Sequence, residues 1–262
     1  MTLCMIGNSH LAAPKLAWEA FAQETGAAEP DFYGSARDTM LATTVENGRL
    51  VALSDTVARN FMASAGRDSI ALEEYEGFIV ISSTLGLRSL VAILHQHARS
   101  GEARETRFVA SDAAISAAFD DMVFQSAGGH VARLLRRATD KPVWLVDRPQ
   151  PGVGILTAKT AMADAFATLN TSESRSALDG LLQRQRDKVE AEGIATLRQP
   201  ADTLQDGWLT LERFSQDARK LHGAAAYDAE DHFHMNATYG AALLRAIWPT
   251  VTGAQVAVAT AS

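Results

Sequence analysis

Short, uninterrupted apolar runs recur along the chain, and the segments between them carry helical periodicity. Residues 3–6, 31–33, 78–81, 141–146 and 193–197 read as strands, and 78–81 is apolar throughout, as in a strand buried on both faces. Residues 10–22, 88–100, 112–139, 158–169, 174–192 and 237–247 read as helices, with a break in the third expected at Gly128-Gly129. Pro14 fits the first of these only if it falls in the opening turn. Residues 37–40 read as a further short helix. Val45 to Leu53 reads as a hairpin turning on Asn47-Gly48 and lying at the edge of the sheet. Strands alternating with helices predict a parallel sheet with helices on both faces. In such sheets ligands and reacting groups gather at the carboxyl ends of the strands.

Bulk properties narrow the choice of partner. The 262 residues are 47% hydrophobic and 21% charged, with a net charge of -7. That composition is globular, the length suits one domain over 1–262, and the acidic balance argues against a nucleic-acid partner. One cysteine, Cys4, precludes an internal disulfide or a thiolate metal site and reads as a small buried hydrophobe. No run of about 20 apolar residues predicts a membrane span, and no basic-then-apolar leader opens the chain. The expectation is a cytoplasmic protein.

Two stretches carry candidate chemistry. The first strand stops at Gly7-Asn8-Ser9-His10, which places a hydroxyl at the carboxyl end of a strand. A turn or helix cap would explain it equally well. Far along the chain, Asp231-His232-Phe233-His234-Met235-Asn236 crowds titratable groups in front of a helix. Three readings compete there: a metal site from Asp231, His232 and His234, which lacks a further ligand because His95 and His97 fall in a predicted helix; an Asn236 helix cap with the histidines exposed; or a base and its orienting carboxylate serving a distant nucleophile. Asp231 and His234, three residues apart, suit the last reading.

Gly7-Asn8-Ser9-His10 resembles the first block of the SGNH (GDSL-like) hydrolase family, and Asp231-His232-Phe233-His234 resembles its last block, Asp-x-x-His. The resemblance implies a flavodoxin-like three-layer α/β/α sandwich with a mostly parallel sheet of about five strands. It implies Ser9 as nucleophile, His234 as base and Asp231 as its orienting acid, with no metal or other cofactor. The oxyanion would be held by the Ser9 amide, by Gly34 after the second strand, and by a donor among Ser83 to Gly86, with Ser83 and Gly86 the named candidates. The family's Gly-x-Asn-Asp block after the third strand is missing; Ser82-Ser83-Thr84-Leu85-Gly86 stands there instead.

Asn8, His10, Arg148 and His232 are the candidate substrate-binding residues, Arg148 for an anionic group. The variant is similar to SGNH-like proteins encoded with bacterial surface-polysaccharide genes, which implies a small O-acyl ester, such as an O-acetyl ester on a carbohydrate. Acyl transfer by the same three residues and a silent glycan-binding module stay open as alternatives. Trp208 reads as core ahead of a pocket wall, and Arg184, Arg186, Asp187 and Lys188 as a solvated helix face.

Overall fold

A computed structural model of the chain describes residues 2–81, 85–99, 108–221, 225–228 and 230–253. Five strands form the central sheet: β1 (Leu3–Gly7), β2 (Asp31–Gly34), β3 (Gly77–Ile81), β4 (Val143–Val146) and β5 (Ala195–Leu197). They lie in the order β2-β1-β3-β4-β5, and every pairing is parallel. This is the flavodoxin-like order, with its topological switch between β1 and β3.

Alternation along the strands supplies two cores. Leu3, Met5, Phe32, Ile79, Ile81, Trp144 and Val146 point to one face, where α1 (Ala12–Thr25) and a carboxyl-terminal helix (Ala237–Thr252) cover them. Cys4, Ile6, Tyr33, Phe78, Val80, Val143 and Leu145 point to the other. That face is covered by the remaining helices: α2 (Asp55–Ala65), α3 (Leu87–Gln96), α4 (Asp112–Gln125), α5 (Ala127–Ala138), α6 (Ala161–Thr168) and α7 (Ser172–Ala191). The helix Ala237–Thr252 is α8. Burial on both faces explains why the strands read as continuous apolar runs. Trp208 belongs to the second core, its ring tilted against Phe166.

The opening helix begins later than its periodicity suggests. A single 3-10 turn, Ser9–Leu11, precedes α1, so Pro14 falls in the first α-helical turn, where it costs no hydrogen bond. At the other end, α8 packs lengthwise against α1. Gly240 makes that approach possible, since a Cβ there would lie 2.0 Å from the Ala13 carbonyl oxygen.

Several expectations need correction. The hairpin does turn at Asn47-Gly48, both with positive φ, but it is not an edge of the central sheet. It pairs with Ser69–Ala71 in a separate three-stranded antiparallel sheet, while β2 has β1 as its strand partner and packs against α2. Residues 37–40 form only a 3-10 turn at Thr39–Leu41, preceded by Arg37 at φ 52. The long helix over 112–139 breaks at Ser126, not at the two glycines. Ser126 ends α4 and caps α5, its Oγ accepting the Gly129 N–H at 3.1 Å. Gly129 serves the close contact at that corner, where a Cβ would lie 1.8 Å from the Val123 oxygen. His97 lies outside α3, in a short strand, His97–Arg99, that pairs with Phe108–Ala110.

Arg186 is the largest departure. It is buried with Asp147, which follows β4, and the guanidinium holds the carboxylate through two bonds of 3.2 and 2.5 Å. Burial pushes the Asp147 carboxyl up, against the pull of Arg186. Arg184 and Lys188 point outward and share Asp120. Among the described residues no helix is long and apolar enough to cross a membrane.

Replacing Arg186 with Ala should leave a buried carboxylate without a counter-charge and cost about 3–5 kcal/mol, read as a lowered urea midpoint. Gly240→Leu should cost about 1–3 kcal/mol by forcing α1 and α8 apart, measured in the same way.

Candidate active site

The two ends of the chain meet above the carboxyl edge of the sheet. Ser9 lies two residues past the end of β1, in a turn held by the Asn8 side chain, which accepts the His10 N–H at 3.1 Å. His234 precedes α8, whose first turn is capped by Asn236 through the Tyr239 N–H at 3.1 Å. Asn236 also donates to the Arg213 and Gln216 carbonyls at 2.8 Å each, which ties the approach of the loop to α8.

His234 Nε2 lies 2.8 Å from Ser9 Oγ, and His234 Nδ1 lies 2.7 Å from Asp231 Oδ2. An ionised carboxylate only accepts, so Nδ1 carries the proton and Nε2 accepts from the Ser9 hydroxyl. The other Asp231 oxygen accepts the N–H groups of Phe233 at 2.8 Å and His234 at 3.1 Å. Burial pushes the Asp231 carboxyl up, but the His234 contact and these two donors outweigh it and hold the group below the usual carboxylate range. The Asp231 and His234 side chains retain 19% exposure each, enough for substrate to reach them. Asn236 caps α8 and Asp231 pairs with His234 in the same short loop, so the cap and the pairing coexist, while the His234 side chain is not an exposed one. Among the described residues, no three His, Cys, Asp or Glu side chains are grouped to hold a metal ion.

The imidazole of His234 lies between two rings. Tyr227 stacks on one side at 3.8 Å and 4° between planes, and His10 on the other at 5.1 Å and 21°. Burial raises the Tyr227 phenol, while a hydrogen bond with Ser9 pulls the other way. Tyr227 is absent from the sequence reading because no motif marks it. His10 is 7% exposed and its Nδ1 has no hydrogen-bond partner among the described residues. Burial, then Arg148, His234 and Arg88, hold its pKa well below 6.5, so the ring is neutral at pH 7.

A cavity of about 190 Å³ opens beside Ser9 on the β2 side, lined by Asn8, Gly34, Ser35, Asn60, Leu221 and Tyr227 among others. Asn60 reaches it from α2, which the sequence reading passes over, and donates to Ser35 Oγ at 3.0 Å. Gly34 lies where expected, but its N–H is given to Ser64 Oγ at 2.9 Å. The Ser9 N–H has no acceptor among the described residues. Ser83 lies outside the described residues. Gly86 caps α3 and packs on Arg148. Asn8 faces the cavity, whereas the His232 ring packs on Gly154 and lines a separate cavity with Glu212 and Asp217. Arg148 lies near Arg88 and Asp231; burial first, and then Arg88, lower its pKa to about 10.

No protein-family model matches the chain, and no curated protein matches it. Three solved structures are similar over most of their length. A GDSL-like lipase from Bacteroides thetaiotaomicron VPI-5482 is 10% identical, with 97% of this chain and 89% of that one covered and a TM-score of 0.47. The periplasmic domain of a lipopolysaccharide acetyltransferase from Salmonella ser. Paratyphi A is 12% identical, with 96% and 83% covered and a TM-score of 0.44. A carbohydrate acetylesterase family member from Sinorhizobium meliloti is 15% identical, with 96% and 97% covered and a TM-score of 0.35.

The lowered pKa of His10 has a consequence for stability. Below about pH 6.5 the unfolded chain binds a proton at this ring that the folded chain refuses, so its contribution is full above that pH and declines as pH falls. The loss of unfolding free energy between pH 7.5 and pH 5 should be smaller in His10→Gln than in the wild type, by up to about 2 kcal/mol. Urea titrations at the two pH values measure it.

Proposed function

We propose that this protein is a serine-dependent ester hydrolase of the SGNH type that acts on a small O-acyl ester, an O-acetyl group on a carbohydrate being a fitting substrate. The observation that supports this reading above all others is the unbroken line of hydrogen bonds from Asp231 through His234 to Ser9.

A serine hydroxyl is a weak nucleophile and needs a base within hydrogen-bond reach. As Ser9 Oγ attacks the ester carbonyl, His234 Nε2 takes its proton, and Asp231 stabilises the resulting imidazolium. The tetrahedral intermediate expels the alcohol, which leaves with the proton from His234, and an acyl-serine remains. Water, deprotonated by the same nitrogen, then releases the acid and restores Ser9. The free Ser9 N–H is suited to hold the oxyanion. Gly34 can join it once Ser64 turns away, and Gly86 is the donor proposed from the β3 side. The small cavity beside Ser9 supports a short acyl group. If a sugar hydroxyl takes the place of water in the second half, the same steps give acyl transfer.

One observation favours the silent binding module: the Gly34 N–H is already donated to Ser64, which leaves the oxyanion site short of a donor. Fluorophosphonate labelling separates the two readings. The wild type should form a covalent adduct and hydrolyse p-nitrophenyl acetate, and Ser9→Ala should do neither. Asp231→Asn should lower kcat by a factor on the order of 10⁴, because the wrong tautomer is then favoured. A wild type that is neither labelled nor active sinks the enzyme reading and leaves the binding module.

A further inference from the structure

The side of Ser9 opposite the small cavity has a different chemistry. Arg88 lies in the first turn of α3, which follows β3, and Arg148 lies two residues past the end of β4. The Arg148 main chain is fixed by its N–H donating to the Leu85 carbonyl at 2.7 Å, and its stem packs on Gly86, where a Cβ would lie 3.0 Å from that of Arg148. The Arg88 guanidinium lies 4.6 Å over the Phe233 ring, one residue from His234. Both arginines are therefore anchored next to the candidate base.

Neither guanidinium forms a hydrogen bond or ion pair among the described residues, although Arg148 is mostly buried. The nearby Asp231 has both oxygens committed to His234 and to main-chain N–H groups. His10, buried between them and His234, is neutral and cannot supply a counter-charge. Arg148 is drawn partly out of water beside the exposed Arg88, and although Asp38 and Asp231 act on it from nearby, neither pairs with its guanidinium. An oxyanion bound through charge-assisted hydrogen bonds to both arginines relieves the cost of that arrangement. Lys220 also lies near Ser9, on the cavity side, but it is exposed, with its ammonium 5.9 Å over the Tyr227 ring.

We propose that Arg88 and Arg148 form a subsite for an oxyanion, a carboxylate or a phosphate, carried on the alcohol half of the ester. The assignment of halves rests on the hydrolase reading above: the small cavity on the β2 side takes the acyl group, so the alcohol extends over β3 and β4, where the arginines are. The substrate class is then an acylated acidic sugar or sugar phosphate, as distinct from a neutral ester.

Three acetyl esters of matched shape test this: 4-acetoxybenzoate, 4-acetoxyphenyl phosphate and neutral methyl 4-acetoxybenzoate. In the wild type, kcat/KM for at least one anionic ester should exceed that for the neutral one by about tenfold or more. That ratio should fall by a similar factor in Arg88→Gln and in Arg148→Gln; intrinsic reactivity cancels when the ratio is compared between proteins. Arg88 is exposed, so its variant carries the test if the Arg148 variant does not fold. The anion with the larger ratio identifies carboxylate or phosphate. A wild-type ratio near one for both anions, or a ratio unchanged by Arg88→Gln, overturns the subsite.

If none of the esters is turned over, the hydrolase reading fails by itself. Calorimetric titration of 4-hydroxybenzoate and 4-hydroxyphenyl phosphate into Ser9→Ala then decides the subsite. Binding that weakens about tenfold when Arg88→Gln is added upholds it, and no binding of either overturns it.

Discussion

The packing of α1 against α8 is the contact on which the site depends. Ser9 leads into α1 and His234 leads into α8, so the distance between hydroxyl and imidazole is set by how closely two helices from opposite ends of the chain can lie. Gly240 allows the backbones to touch at Ala13, and Trp18, Phe21, Leu243, Leu244 and Ile247 fill the seam above the sheet. Apolar burial of this kind has no direction of its own. Direction comes from the ends of the helices: the Asn8 bond to the His10 N–H, and the Asn236 cap with its two anchors to the preceding loop. Hydrophobic packing brings the ends together, and short polar contacts aim them.

Electrostatics then divides the site into unlike halves. Toward β2 the surroundings are hydroxyls, amides and apolar groups around a modest cavity, with the exposed Lys220 at its rim. Toward β3 and β4 lie a neutral buried histidine and two arginines. Ser9 stands at the switch point between them, where the connections of a 2-1-3-4-5 sheet diverge and leave a crevice. The same topology that opens the crevice gives its two walls different ancestry in the chain, and so allows them different chemistry.

Much of this was legible in the sequence, and the failures have physical causes. The apolar runs at 3–6, 78–81 and 143–146 are buried on both faces, which leaves them no polar positions to blur the pattern. The Ser9 and Asp231/His234 blocks are compact enough to stand out, and their hydrogen bonds have the geometry expected of the pairing. By contrast α2 buries only Val57 and Phe61, too thin a stripe to register, and it carries Asn60 and Ser64 with it. Arg186 reads as one of a run of surface charges because its partner Asp147 lies 39 positions away. Arg88 and Arg148 are 60 positions apart and meet only because β3 and β4 are neighbours. Pairings set by the sheet are invisible until the sheet exists.

The separation of Ser9 and His234 in the chain, 225 positions, also has a meaning in time. Synthesis delivers the Ser9 hydroxyl ahead of four of the five strands and the His234 imidazole only after all five have been made. Until α8 has emerged and docked, the Ser9 hydroxyl lacks the imidazole that it bonds in the fold. The hydrogen bond between Ser9 and His234 is thus a contact of the finished fold, made only when α8 docks on α1.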